Sequence, residues 1–308
     1  MDTNRGNMDA LFTGYSQAFK NGLALGGVEF ESLCTVVGSG TKITEFPFLQ
    51  QLGGMREWLG PRQIKNISSK KLQVTARTFE DSVGMPVNDL DDDQLGLYTP
   101  LVTEMGMNAG NLWGELAFAA LLGNATWLDG VAFFSAAGRA YDGKNAINNY
   151  GTSALTSATY ATAYKAMMGY LGHGGKPLNI VPDTLLVGPK LLDTAKKIVE
   201  IPAELTSGAT GESAYVNWTS APNPWYNSAR LIVSTQLVGT YDDYWFLMCT
   251  KRPLRPVVLV KRQEPKLTRL DRETDANVAL EDKILYLTKG RGEAALTMPH
   301  LVIGNYVS

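Results

Sequence analysis

Histidine is almost missing from this 308-residue chain: His173 and His300 are the only two. Cysteine is as scarce, and Cys34 and Cys249 stand far apart at no metal-binding spacing. Two lone thiols suit a reducing cytoplasm and exclude a disulfide framework. There is no HExxH, no His/Cys cluster, no EF-hand loop and no Gly-x-Ser-x-Gly. The most apolar helical stretch, Leu112–Leu122, is too short to span a bilayer. No signal peptide is read at Met1–Met8, which is polar with no apolar run behind it. The expectation is a protein with no catalytic, cofactor-binding or metal-binding residue and no membrane contact, made in the cytosol.

A basic excess is also lacking. The chain has 28 basic against 30 acidic residues, a net charge of −2. A protein that grips duplex DNA by counterion release usually carries a basic patch. Charged residues make up 19%, below the usual share of about 25%. Less surface is then reserved for water, which fits a surface that faces other protein.

Two segments imitate functional motifs. Gly175-Lys176 has the look of a phosphate loop, but Tyr170 stands where the first Gly belongs and Pro177 where Ser or Thr belongs. The segment also follows a predicted helix instead of a strand, so a helix stop is the better reading. The acidic run Asp89, Asp91, Asp92, Asp93 precedes a helix, where negative charge favours the macrodipole without any cation. His173, among glycines, reads as a solvated loop residue.

What is present is a mixture of helices and strands. Met8, Leu11, Phe12, Tyr15, Phe19 and Leu23 repeat at helical steps and predict an amphipathic helix over 8–25. It docks on its own domain or reaches a neighbour; the pattern slightly favours docking. Residues 62–67 and 72–83 read as a hairpin with a turn at 68–71. Neither strand is apolar enough on both faces for a core, so this hairpin is expected to project and to need a partner surface. Thr99-Pro100 opens a long helix that runs to Gly123-Asn124, with Leu101, Met105, Leu112, Leu116 and Ala120 on its apolar stripe. A second helix is predicted at 157–171, a strand at 178–187 and a third helix at 189–199. Residues 205–229 read as a long irregular loop. Strands follow at 230–234, 243–249, 257–261 and 280–287.

Several segments, in order, then resemble the Mu-like phage major head subunit family (gpT family). They are Phe46-Pro47-Phe48-Leu49 with Met55-Arg56-Glu57-Trp58-Leu59-Gly60, Phe79-Glu80 leading to Asp91-Asp92-Asp93-Gln94, and Asp129-Gly130-Val131-Ala132-Phe133-Phe134-Ser135. Pro182 to Pro189, Leu254-Arg255-Pro256 and Lys261 to Pro265 continue the series. Gly138-Arg139 stands where family members tend to carry a His. The resemblance implies an α+β protein of the Hong Kong 97-type capsid fold. Its expected parts are an N-terminal arm (1–40), an extended loop (41–88), a peripheral domain with a spine helix (89–126), an axial domain (127–228) and a return to the peripheral domain (229–308).

It also implies a function: a major capsid protein whose pentamers and hexamers close an icosahedral shell in the virion, assembled in the host cytoplasm. A scaffold, a maturation protease and a portal are the expected partners, with a decoration protein a further candidate. Packaged double-stranded DNA would be touched weakly and non-specifically. Candidate contacts between subunits are Lys65, Lys70, Lys71 and Arg77 on the hairpin and Phe12 and Phe19 on the first helix. Trp218, Trp225 and Tyr226 in the polar loop complete the set. The alternatives are a minor virion component of the same fold and a cytosolic α/β enzyme.

Overall fold

The computed structural model describes residues 5–47, 71–92, 96–140, 146–172, 175–208, 217–272 and 274–307. The chain opens with helix α1 (Arg5–Leu25) and strands β1 (Cys34–Gly38), β2 (Ile43–Pro47), β3 (Lys71–Thr75) and β4 (Arg77–Pro86). Helices α2 (Val87–Asp92) and α3 (Tyr98–Gly123) follow, then short strands β5 (Arg139–Ala140), β6 (Ala146–Ile147) and β7 (Tyr150–Gly151). Next come α4 (Ser157–Met168), β8 (Thr184–Val187), α5 (Leu192–Val199), β9 (Ala203–Gly208) and β10 (Asn217–Pro222). The chain closes with β11 (Arg230–Val233), β12 (Trp245–Met248), β13 (Val257–Leu270), α6 (Ala276–Glu281), β14 (Lys283–Leu296) and β15 (Val302–Asn305).

These elements form two compact units. The first holds Met1–Phe46, Gln73–Gly123 and Val257–Ala295; the second holds Pro47–Leu72, Asn124–Pro256 and Leu296–Ser308. The expected return at 229–308 is therefore split. Strands β11 and β12 hydrogen-bond to β8 and stay in the second unit, and so does β15.

In the first unit a four-stranded sheet, in the order β1-β13-β14-β4, packs one face against α1 and α3. Strand β14 alternates strictly: Ile284, Tyr286, Thr288, Gly290, Gly292 and Ala294 are buried and the residues between them are not. The core joins Tyr15 and Phe19 of α1, Val102 and Met105 of α3, Met85 of β4, and Leu267, Ile284 and Tyr286 of the sheet. The expected stripe on α3 is rotated, since Leu101 is 41% exposed. The buried face includes Gly106, Gly110 and Gly114, which a count of apolar residues passes over.

Gly106 and Gly110 set the distance between α1 and α3, and Gly114 makes room for the Phe30 ring. A Cβ on Gly106 would lie 2.2 Å from the carbonyl oxygen of Phe19, and one on Gly22 would lie 2.0 Å from that of Thr103. Gly110 meets Gly26 Cα in the same way, at 2.9 Å. Residue numbers rise together along this seam, so the helices run parallel. Backbone touches backbone where most helix pairs are held 8–10 Å apart by side chains.

The projecting hairpin read at 62–83 is corrected in part. Residues 62–67 and the turn at 68–70 lie outside the described residues. Strand β3 pairs with β2 in a separate two-stranded sheet. After Ala76 the chain becomes β4, which pairs antiparallel with β14 from Pro86↔Lys283 to Arg77↔Gly292. Alternation reveals a strand but not its partner, and here the partner lies some two hundred residues downstream. The loop read at 205–229 also needs correction: β9 and β10 pair antiparallel, Ala203↔Pro222 to Gly208↔Asn217.

In the second unit a mixed five-stranded sheet runs β11-β8-β12-β15-β7. Strands β8, β12 and β15 are buried at every position, which explains their continuous apolar runs. Tyr160, Ala163 and Met167 of α4 and Ala195, Ile198 and Val199 of α5 join one core with Leu185, Val187, Trp245 and Leu247 of the sheet. Around Phe134 gather the rings of Phe133, Phe246 and Tyr306, with centroids 5.0–5.8 Å away. Thr156 caps α4 by a reciprocal pair: Thr159 N–H donates to Thr156 Oγ1 at 3.1 Å and Thr156 N–H to Thr159 Oγ1 at 2.9 Å.

His300 lies in this unit at 7% exposure. Burial, reinforced by the charge of Arg252, pushes its pKa down to about 4. The unfolded chain takes up a proton near pH 6.5 while the folded chain refuses it until about pH 4. Stability is therefore lost as pH falls below 6.5, and the loss levels off below 4. Between pH 6.5 and 5 the expected loss is about 2 kcal/mol. Urea unfolding of wild type and His300→Gln across this range measures it. Equal slopes for the two proteins would sink the assignment to His300.

Candidate assembly surfaces

Among the described residues no group of three or more His, Cys, Asp or Glu is placed to hold a metal ion. No helix among them is long and apolar enough to cross a membrane. His173 lies outside the described residues. The residues nominated from sequence were chosen as contacts between subunits, and those the structure describes fall in both units.

Lys65 and Lys70 lie outside the described residues, and Lys71 is exposed at the first position of β3. Arg77, also exposed, already has a carboxylate in its own chain. It pairs with Glu293 through Nε and donates from Nη2 to Oε1 at 3.1 Å, with its guanidinium 5.4 Å from the Phe79 ring. That hydrogen bond holds the Arg77 pKa above the ordinary arginine value. Phe19 is 2% exposed, inside the core of the first unit. Phe12 is half-buried and lies 4.6 Å from the guanidinium of Arg269.

Trp218 stands in β10 opposite Ser207. Trp225 is half-buried on the edge of the second core, with ring centroids 5.6 Å from Tyr160 and 5.3 Å from Tyr164. Its neighbour Tyr226 is 45% exposed. Among the described residues, Lys71, Arg77 and Tyr226 are thus the nominated ones that the structure leaves exposed.

Sequence reading missed the polar side chains that pin the loops. Arg139 is 7% exposed. It donates to Asp129 Oδ2 at 2.5 Å, to the Phe133 carbonyl at 2.5 Å and to the Val131 carbonyl at 3.3 Å. It also bonds the Ala132 carbonyl and lies 5.5 Å from the Trp127 ring. Asn149, fully buried, accepts from Ser135 N–H and donates to the Phe133 carbonyl. The segment 129–135, one of those that carried the resemblance, is thus wrapped around a single guanidinium. Gly138-Arg139 was legible as a departure from the family pattern, but its role was not.

A second such hub is Asp183, at 9% exposure. Oδ1 accepts from Thr250 N–H, Thr250 Oγ1 and Thr184 Oγ1, and Oδ2 from Lys251 N–H, each at 2.9 Å. The carboxylate fastens the start of β8 to the chain leaving β12.

Two helix-backed units, one with a long buried helix along its sheet, define a class: the Hong Kong 97-type capsid-protein fold. The chain of the bacteriophage JBD30 procapsid superposes with a TM-score of 0.56 at 22% identity, over 98% of this chain and 75% of that one. The family model for the Mu-like prophage major head subunit gpT matches residues 8–153, 146–237 and 227–306. The chain belongs to that family. It is 33% identical over 162 residues to the Mu-like prophage FluMu major head subunit of Haemophilus influenzae, covering 50% of this chain and 52% of that protein. It is 32% identical over 130 residues to the major capsid protein of Escherichia phage Mu, covering 42% and 43%. The chain thus spans about half the length of the curated relatives it matches.

Proposed function

We propose that this chain is the major head subunit of a tailed bacteriophage, and that copies of it close as pentamers and hexamers into an icosahedral shell around the genome. The observation that carries this reading is the family match along nearly the whole chain. The fold shared with a procapsid chain supports it. The protein acts by geometry and not by catalysis: many weak contacts per subunit act together once the shell closes. In this reading residues 1–40 are the arm, 41–88 the extended loop and 127–228 the axial domain.

Lys65, Lys70 and Lys71 are the loop residues proposed to meet carboxylates of a neighbour, with Trp218 and Tyr226 contacts of the second unit. Arg77 serves its own chain through Glu293 and joins such a contact only by sharing it. Scaffold, maturation protease and portal are the proposed assembly partners, and the finished subunit resides in the virion. A net charge of −2 fits a shell that encloses DNA without gripping it.

Negative-stain microscopy of the expressed protein, alone and with its scaffold, tests the proposal. Shells, tubes or rings of capsomers are expected. A protein that stays monomeric under both conditions overturns it. A minor virion component would instead show a low copy number in purified particles.

A further inference from the structure

Helix α1 is held in two unlike ways along its length. Its C-terminal half is seated backbone to backbone: Phe19, Gly22 and Gly26 lie against Gly106, Thr103 and Gly110 of α3, with no room for a methyl group. Its N-terminal half has no such seat. Met8, Leu11 and Phe12 are only half-buried. Two hollows flank them. One, of about 900 Å³, is bordered by Met8, Asp9, Val87 and Asp282. The other, of about 370 Å³, lies between Phe12, Ser16, Pro265 and Lys266.

Both hollows are also lined by Arg269 of β13, and this residue makes the polar hold on the segment, beside the packing of Met8, Leu11 and Phe12 on the core. It donates from Nη1 to the Met8 carbonyl at 2.6 Å, pairs through Nη2 with Asp9 and through Nε with Asp271 at 3.1 Å. Its guanidinium also faces the Phe12 ring. Beneath the helix, Tyr286 meets Tyr15 edge to face at 5.3 Å. The Tyr286 hydroxyl is buried with no hydrogen-bond partner among the described residues. The seated helix therefore leaves a polar group unsatisfied that water would satisfy if the helix lifted. Between the two halves stands Gly14, with nothing within 4 Å of its would-be Cβ. A glycine inside a helix is a local weak point.

We propose that the N-terminal half of α1 is a releasable strap. It opens about Gly14 when Arg269 lets go, while Phe19–Gly26 stays seated on α3. Opening frees Met8, Leu11 and Phe12 together and joins the two hollows into one trough. This inference does not depend on the shell reading, because it concerns one unit of one chain.

Hydrogen exchange read by mass spectrometry on the full-length chain tests it. In Arg269→Ala, amides of residues 12–18 are expected to exchange roughly 10–100-fold faster, the cost of losing charged hydrogen bonds. Amides of 20–26 and of α3 should keep the wild-type rate. Gly14→Ala should slow residues 12–18 and leave the rest unchanged. Asp9 is 61% exposed, so Asp9→Asn keeps the fold while removing the negative charge that faces Arg269, and it should speed the same segment severalfold. If both halves of α1 accelerate together, the helix is one rigid element and the strap is wrong. Unchanged exchange at 12–18 in Arg269→Ala and Asp9→Asn also overturns it.

Discussion

Alanine at Gly106 is expected to destabilise the first unit by about 3 kcal/mol, although the same replacement at Gly14 should stabilise it by up to about 1 kcal/mol. Both glycines sit inside helices, where alanine is intrinsically better by about 1 kcal/mol. That term acts alone at Gly14, which has open space around it. At Gly106 the new methyl group would stand 2.2 Å from the carbonyl oxygen of Phe19. The obstacle is backbone of another helix, so no rotamer change relieves it. Helix α1 must move outward by roughly an ångström, and the whole seam from Phe19 to Gly26 loses contact with α3. Overpacking of this kind costs about 1–3 kcal/mol and sometimes more, which outweighs the gain in propensity. Urea unfolding of Gly14→Ala, Gly106→Ala and wild type gives the three midpoints. If Gly106→Ala unfolds at or above the wild-type midpoint, the helices do not approach as closely as the structure shows. Gly22→Ala should match Gly106→Ala, and the double variant should fall short of the sum because both open one seam.

The seam also shows where sequence reading stops. The long helix was legible from end to end, because Thr99-Pro100 and Gly123-Asn124 are local signals and Asn124 takes the left-handed conformation (φ 41°) that ends it. Its partner was not legible. Glycines at 106 and 110 lower any helical score, and they matter only when a second helix lies on them. The same limit applies to β4, whose alternation was visible while its pairing with β14 was not. In 205–229, Gly, Ser, Pro and Asn read as loop, yet 203–208 and 217–222 pair as a two-stranded ribbon. Asn223 just beyond it donates to the carbonyls of Lys197, Ile198 and Ile201 at 2.8–3.0 Å, closing the end of α5. Phe12 and Phe19 were picked from one amphipathic stripe, and periodicity cannot say whether a stripe faces its own core or a neighbour. Two of the segments that carried the family resemblance, 129–135 and 182–189, are each tied down by one buried charged side chain, Arg139 and Asp183.

Asp183 makes that dependence measurable. Asp183→Ala removes the acceptor of four hydrogen bonds at once, two of them from the backbone N–H groups of Thr250 and Lys251. Both donors lie in part-buried bonds beside the start of β8, on a carboxylate that is itself 9% exposed. Each abandoned donor costs about 1–3 kcal/mol, so the expected loss is about 3–5 kcal/mol, among the larger effects of a single substitution. Asp183→Asn keeps Oδ1 for the Thr250 and Thr184 donors. It turns an amide N–H toward Lys251 N–H, and it should lose about 1–3 kcal/mol. The order wild type, Asn, Ala in urea midpoint is therefore fixed in advance. Thr250→Val should fall near the Asn variant, since it removes one hydroxyl and leaves the carboxylate its two backbone donors. If Asp183→Ala unfolds within about 1 kcal/mol of wild type, water replaces the carboxylate at the four donors, and the link from β8 to the chain after β12 is not what holds the sheet's two central strands in register.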